Sequence, residues 1–239
     1  MEHAAESMAV KARHRVLAFF CCVAAVAYVQ RSALGVPAAE IATALGSVDL
    51  ARDMGMVQSA WYAGYAALQL PSGWLADRMG SRAAAALFAI LWSLLTGLAG
   101  CVPDLASLAI VWGLMGAAQA GIFPCAAKAI GSAFPSGERA RASGFLAAGM
   151  TMGGAIAPAV TAYALGVLLP VSDHSGIGRW RLLLVAYTFP GLAWAGIFLF
   201  LVSGRALPST NKAGASGHID WAIMARSSSL WLLCAQQFF

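Results

Sequence analysis

The 239-residue chain is 60% hydrophobic and only 10% charged, whereas an ordinary soluble domain has about 25% charged residues. This composition excludes a soluble globular protein and predicts an all-α integral membrane protein that has the lipid bilayer as its surroundings. The net charge of +5 follows from membrane orientation, as argued below, and gives no reason to expect nucleic acid as a partner.

Six apolar runs of about 20 residues, the length at which an α-helix crosses a bilayer, follow one another along the chain. The first run resembles a secretory signal, but five more follow, so we interpret it as an uncleaved helix. The bundle covers 16–203, between an N-terminal segment at 1–15, a Gly- and Ser-containing linker at 204–228 and the start of a seventh helix at 229–239. The predicted spans are 16–38, 54–76, 83–102, 105–130, 143–168 and 182–203.

Positive charges are divided unevenly between the two ends of these spans. With the N-terminus inside, eleven Lys and Arg residues fall in cytoplasmic segments and three, Arg52, Arg179 and Arg181, fall outside. An excess of Lys and Arg marks cytoplasmic loops. We therefore predict a multi-pass protein of the plasma membrane, or of the inner membrane if it is bacterial, with a cytoplasmic N-terminus and linker.

Residue patterns typical of enzymes are missing from the sequence. The five cysteines have no metal-ligand spacing, and there is no phosphate loop, dinucleotide fingerprint or zinc-protease motif. We predict no metal, no cofactor and no enzymatic activity. A bitopic receptor or a membrane enzyme remains an alternative, but neither a soluble domain nor a catalytic group of residues is visible in the sequence.

Arg31 interrupts the first predicted span. The apolar stretch before it, 16–29, covers about 21 Å at 1.5 Å per residue, less than a hydrocarbon core of roughly 30 Å. Arginine near the bilayer centre costs about 2.5–3.5 kcal/mol on the mildest scale and usually faces a wet cavity or an anion. Its planar guanidinium suits a carboxylate or phosphate. The alternative is that the side chain snorkels to the external interface.

The second predicted span carries a polar stripe. Gln58, Tyr62, Tyr65 and Gln69 lie within about 60° of one another on a helix. A polar stripe on a membrane helix faces protein or water, so Tyr65 and Gln58 are candidate binding residues. Interhelical hydrogen bonding is the alternative for each of them, and we favour it for Gln69.

Gln30 and Gln119 begin two similar stretches, QRSALGVPAA in the first span and QAGIFPCAA in the fourth. In each, a glutamine at mid-membrane is followed by Gly, Pro and a pair of small residues. Polar segments interrupted by Gly and Pro at corresponding places in two halves mark the binding site of transporters built from repeats. Chance similarity in an Ala-rich chain is the alternative.

A third pattern, GWLADRMGSR at residues 73–82, resembles the signature loop between helices two and three of the major facilitator superfamily. The alternative is a positive-inside turn that only orients the chain. The stretch GAAQAGIFPCAAKAIGSAFPSGERARASG and the pair Trp180 and Arg181 narrow the resemblance to the anion:cation symporters of that superfamily. The residues that match the signature loop are Gly73, Leu75, Ala76, Asp77, Arg78, Gly80 and Arg82.

This resemblance implies a fold and a function. The chain is expected to be the six-helix N-terminal bundle of a major facilitator fold, built from 3+3 repeats, with the second bundle missing. It would transport small organic anions such as sugar acids by alternating access, with a second half or another copy as partner. Arg31 would contact the anion beside Gln30, Gln58, Tyr65 and Gln119, and the signature loop would latch one conformation. The alternative is a truncated, non-transporting half or an assembly partner.

Three positions depart from the proton-coupled members of this family. Those members have an acid where this chain has Gln30, a glutamate where it has Gln119, and a second arginine where it has Trp112. The acidic residues fall in termini, loops or helix ends, and an amide does not titrate. We therefore expect proton coupling to be absent or to lie in a second half. Trp112 forms either a platform for a sugar ring or part of the packing.

Overall fold

The computed structural model describes residues 2–168, 178–202 and 226–228, and the side chains from residue 10 onward. Its regular structure is helical, and the described ranges contain no strand, in agreement with the predicted all-α class. The chain divides into two compact units, Met1–Ser209 and Thr210–Phe239. The predicted linker and seventh helix lie almost wholly outside the described residues.

The helices of the first unit differ from the predicted spans mainly at their ends. α1 starts well before residue 16, because residues 2–15 are mostly good helix formers, and it ends seven residues before 38, where Gly35 and Pro37 interrupt it. In chain order the helices are α1 (Glu2–Arg31), α2 (Ala38–Ala44), α3 (Leu50–Met79), α4 (Ser81–Ala99), α5 (Leu105–Gln119), α6 (Ile122–Ala133), α7 (Ser136–Tyr163) with a π-helical turn (Ala164–Leu168), α8 (Arg179–Ala186) and α9 (Thr188–Leu201).

Five helical segments in the described ranges are long and apolar enough to cross a membrane. α5 and α6 together form one of them, and α8 and α9 another. α3 covers the predicted span 54–76 and has 30 residues, yet it falls below that level of hydropathy because it carries the polar stripe. The five segments are Val10–Arg31, Ser81–Ala99, Leu105–Ala133, Ser136–Val167 and Arg179–Leu201.

The helix pairs that pack most extensively show the symmetry of two three-helix repeats. They are α3 on α5, α1 on α7, and α4 on α9. In this arrangement α1, α3 and α4 form one repeat, and they correspond in that order to α5–α6, α7 and α8–α9 of the other. When each helix is replaced by its counterpart, the α1–α7 contact becomes the α5–α3 contact. The same exchange leaves the α4–α9 contact unchanged. The packing therefore agrees with the predicted 3+3 architecture.

Each of these three pairs contains a glycine with no room for a side chain. A Cβ at Gly116 on α5 would lie 2.2 Å from the Trp61 carbonyl oxygen, and one at Gly153 on α7 would lie 2.5 Å from that of Ala25. At Gly191 on α9 a Cβ would lie 1.9 Å from the Ser93 hydroxyl oxygen. Small residues of this kind let membrane helices touch along their backbones.

A single residue, Gly80, connects α3 and α4. Its φ of 82° and ψ of 147° belong to a region that residues other than glycine rarely occupy. Its amide donates to the Ala76 carbonyl and its own carbonyl accepts from the Ala84 amide. The signature loop is therefore mostly helix, with its tight turn at one glycine.

We expect Gly80→Ala to lower the free energy of unfolding by about 1–3 kcal/mol, because alanine would be strained at this φ and ψ. The matched control is Gly73→Ala in the same stretch, where the nearest atom to a new Cβ is that of Pro124 at 3.9 Å. Thermal unfolding in detergent measures both variants. Equal midpoints for the two variants would refute the assigned turn.

Candidate functional site

Arg31, the last residue of α1, lies in the wall of a cavity between α1, α3, α5–α6 and α7. The cavity has a volume of about 30 Å³, which is room for one or two waters. It lies beside the α1–α7 and α3–α5 contacts, so both repeats contribute to its wall. The lining residues are Phe20, Ala24, Ala27, Tyr28, Arg31, Trp61, Tyr65, Gln119, Ile122, Phe123, Ala126, Leu146 and Met150.

Aromatic rings surround the Arg31 guanidinium. Its Cζ lies 4.5 Å from the ring centre of Trp61, 4.9 Å from that of Tyr28 and 5.4 Å from that of Tyr62. One nitrogen, Nη2, donates to the Tyr62 hydroxyl over 3.3 Å. Ring faces attract a cation without neutralising it. The guanidinium is therefore held in place while most of its five N–H donors stay available.

Among the described residues, the cavity wall carries a positive side chain and no negative one. Within the described residues Arg31 forms no ion pair: the pairs there are Arg13–Glu138, Lys128–Asp77 and Arg179–Glu40. No cluster of His, Cys, Asp or Glu in that part of the chain could hold a metal ion. A planar cation with available donors in the wall of a mostly apolar cavity suits a carboxylate or a similar anion.

Three of the five predicted binding residues meet in this wall: Arg31, Tyr65 and Gln119. The Tyr65 ring stacks on Trp61 with centroids 5.0 Å apart and an interplanar angle of 21°. Gln119 is only 3% exposed, and its Nε2 donates to the Ala27 carbonyl over 3.1 Å. Gln119 thus joins α5 to α1 while it forms part of the cavity.

Gln30 and Gln58 do not line the cavity. Gln30 is 1% exposed, its Oε1 accepts from Trp92 Nε1 over 2.6 Å, and its Nε2 donates to the Tyr187 carbonyl. Both ends of this amide are therefore bonded to other helices, α4 and the junction between α8 and α9. Gln58 is half-buried on α3, one turn before Tyr62.

The aromatic neighbours of Arg31 were not predicted from the sequence. Tyr28 precedes Arg31 by three residues, a spacing that places both on one helix face, so that neighbour was open to prediction. Trp61 and Tyr62 come from another helix; Tyr62 belongs to the polar stripe, whereas only the nearness of Trp61 to that stripe hinted at a role. Trp112 is fully buried and does not line the cavity, as expected for the packing alternative.

Two of the charged residues of the signature loop, Asp77 and Arg82, contact other parts of the same bundle, and a third, Arg78, contacts a ring within the loop. The Lys128 ammonium on α6 lies 2.8 Å from Asp77 Oδ1 and donates to the Ala76 carbonyl over 3.1 Å. The Arg78 Cζ lies 3.9 Å above the Trp74 ring. Arg82 donates to the carbonyls of Val202 and Leu199, where a cation interacts favourably with the C-terminal end of α9.

These features define a class of protein: a helical membrane protein with an arginine in the wall of a cavity between two three-helix repeats. The family model described as Major Facilitator Superfamily matches residues 20–239. The chain belongs to this superfamily, which confirms the predicted resemblance. It is accordingly a multi-pass membrane protein.

Curated relatives of the chain are transporters. The probable sulfoacetate transporter of Cupriavidus necator is 29% identical over 191 residues, which are 80% of this chain and 42% of that protein. The probable L-galactonate transporter of Escherichia coli is 35% identical over 147 residues, 62% of this chain and 32% of that protein. The chain thus spans less than half the length of these two relatives.

A solved structure shares the fold. It is that of a bacterial homologue of the human lysosomal transporter Spinster, in an inward-facing and unoccupied conformation. The TM-score is 0.70 at 23% sequence identity, and the match covers 88% of this chain and 46% of that one. This likeness supports the all-helical major facilitator architecture.

We expect Gln30→Glu to make the stability of the chain depend on pH. A neutral carboxyl donates to the Tyr187 carbonyl and accepts from Trp92 as the amide does, whereas an ionised one faces that carbonyl with a negative charge. The folded state therefore favours the protonated form, so it binds more protons than the unfolded state and stability falls as the pH rises.

Thermal unfolding of Gln30→Glu at a series of pH values, each compared with the parent chain, measures this effect. Gln58→Glu is the matched control, because Gln58 is half-buried and its variant should show a much smaller dependence. A Gln30→Glu variant whose midpoint follows that of the parent at every pH would contradict the assigned bonds.

Proposed function

We propose that the chain is the anion-binding bundle of a secondary transporter for small organic anions that works by alternating access. The observation that carries this proposal is the Arg31 guanidinium, which lines the cavity without a carboxylate partner in the described part of the chain. A charge so placed costs free energy unless water or an anion meets it.

The substrate class follows from the donors that are present. The guanidinium fork binds a carboxylate through two parallel hydrogen bonds, and it offers the same donors to a sulfonate. Sulfoacetate and galactonate, which appear in the names of the relatives, are both small acids. The stacked rings of Trp61 and Tyr65 offer an apolar face to the carbon skeleton, and Gln119 contributes an amide to the wall.

The size of the cavity supports a site completed by other elements. Its 30 Å³ is far below the roughly 300–1,000 Å³ of ligand pockets. In transporters of this architecture the site lies between two repeats or bundles that rock against each other. We infer that the anion enters when a second bundle, from a longer chain or another copy, moves relative to α1, α3, α5 and α7.

The proposed orientation follows the positive-inside rule. Within the described residues, Lys11, Arg13 and Arg15 at the start of α1 lie at the same end as Arg78, Arg82, Lys128, Arg139 and Arg141, while Arg52, Arg179 and Arg181 lie at the other end. We place the first end in the cytoplasm of a plasma or bacterial inner membrane. The signature stretch would then latch one conformation from the cytoplasmic side, through Asp77, Arg78 and Arg82 around the turn made by Gly80.

We further propose that this bundle does not carry a transported proton. Glu40, Asp77, Asp104 and Glu138 lie at helix ends, and no acidic side chain from the described part of the chain lines the cavity. At the two positions where proton-coupled relatives would have acids, this chain has the amides of Gln30 and Gln119. Both amides are hydrogen-bonded to main-chain carbonyls.

We expect Arg31→Lys to weaken anion binding at least about ten-fold without unfolding the chain. Lysine keeps the charge but loses the planar fork and the stacking on aromatic rings. Calorimetric titration with galactonate, glucuronate and sulfoacetate, and with galactose as a neutral control, measures the effect. Arg52→Lys, at the exposed start of α3, is the matched variant.

Unchanged dissociation constants in Arg31→Lys would remove Arg31 from the site. A parent chain that shows no saturable binding of any acid, even in the presence of a second bundle or a second copy, would contradict the transporter proposal and favour an inert half. Circular dichroism of each variant separates lost binding from lost folding.

We expect anion affinity to change less than about two-fold between pH 5 and pH 8, because arginine and tyrosine do not normally titrate in this interval. A proton taken up with the anion would instead change the dissociation constant about ten-fold per pH unit. Titrations across this range test the point. Gln119→Glu is the positive control, because it places a carboxyl in the cavity wall and should introduce a pH dependence.

A further inference from the structure

A second concave surface lies between the first half of α1 and the first half of α7. We call it the α1–α7 groove. Its apolar walls include Leu17 and Ala18 on α1 and Phe145 on α7, and its polar rim is formed by His14, Glu138 and Arg141. Its volume is about 440 Å³, whereas the volume of the Arg31 cavity is about 30 Å³.

The α1–α7 groove opens away from the Arg31 cavity. At 100° per residue, Phe145 lies about 100° around α7 from Leu146 and about 140° from Met150. Leu146 and Met150 line the cavity, and Gly153 marks the contact of α7 with α1. The groove is therefore on a different face of the α1–α7 pair, and the anion site does not account for it.

The groove rim keeps a net positive charge. Glu138 is paired with Arg13, whose Nη2 lies 3.0 Å from Glu138 Oε2. Arg141 forms no ion pair within the described residues, and its Cζ lies 5.8 Å from the ring centre of Phe145. His14 donates from Nδ1 to the Val10 carbonyl over 2.8 Å.

The groove floor is aromatic and apolar. Phe134, which is buried at the end of α6, meets the His14 ring edge-on with centroids 5.7 Å apart. The groove thus combines cationic side chains at the end of the helices with an apolar channel that runs toward the middle of the bundle. This arrangement is complementary to a phospholipid, which has an anionic head at the interface and an acyl chain below it.

We propose that the α1–α7 groove binds an anionic phospholipid. Its phosphodiester contacts Arg141, and one acyl chain lies along Leu17, Ala18 and Phe145. Basic pockets between membrane helices bind anionic headgroups.

Native mass spectrometry of the chain released from nanodiscs of equal parts phosphatidylglycerol and phosphatidylethanolamine tests the proposal. We expect phosphatidylglycerol to be retained in preference. Arg141→Gln should lower the ratio of retained phosphatidylglycerol to phosphatidylethanolamine about five-fold, the equivalent of about 1 kcal/mol per basic residue at a membrane surface. Ala18→Phe, which fills the groove without changing charge, should also remove the retained lipid.

The matched control is Arg15→Gln, which removes the same charge from the same end of the bundle but outside the groove. Its lipid ratio should equal that of the parent chain. Equal losses in Arg141→Gln and Arg15→Gln would show general surface attraction and overturn the proposal. So would a parent chain that retains no phosphatidylglycerol, the result expected if a protein segment fills the groove. Circular dichroism confirms that each variant is folded.

Discussion

The side-chain amide of Gln30 hydrogen-bonds to two other helices at once, and the position of Arg31 depends on these bonds. Its oxygen accepts from Trp92 on α4, and its nitrogen donates to the carbonyl of Tyr187 between α8 and α9. The Tyr187 hydroxyl in turn bonds to Thr161 on α7 over 2.9 Å. Leaving one half of a buried amide unpaired costs about 1–3 kcal/mol, so α1 is fixed at the rotation that satisfies both halves. At that rotation the next residue, Arg31, faces α3 and the cavity.

The close contact of α3 and α5 positions the aromatic partner of Arg31. The Trp61 carbonyl is the atom that a Cβ at Gly116 would meet, at 2.2 Å. The ring of the same Trp61 lies against the guanidinium and stacks on Tyr65. Backbone contact at a glycine therefore fixes how far this ring reaches into the cavity. The packing of α3 on α5 and the geometry of the site therefore both depend on Trp61, through its carbonyl and its ring respectively.

The sequence was sufficient for the fold class, because apolar runs and the GWLADRMGSR stretch are local signals. It also located Arg31, whose charge in an apolar run has a direct energetic meaning. It did not distinguish Gln30, which bonds outward to α4 and Tyr187, from Gln119, which lines the cavity, because that depends on which face of each helix meets a neighbour. The Trp61 contact escaped prediction for the same reason: residues 31 and 61 meet only through the packing of α1, α3 and α5.

The distribution of charge connects the site to the proposed transport cycle. The ion pairs of the described residues, Arg13–Glu138, Lys128–Asp77 and Arg179–Glu40, lie at the ends of the helices and join the two repeats, where exposed pairs contribute about 0–1 kcal/mol each. Arg31 is the cation left without such a partner in the cavity wall. Closing a transporter around Arg31 alone would take an unpaired charge out of water, whereas closing it around Arg31 with a bound anion buries a pair with its hydrogen bonds made. In the proposed cycle, the arginine that is costly in the open bundle would therefore favour closure when the anion is bound, because that anion would supply the missing charge.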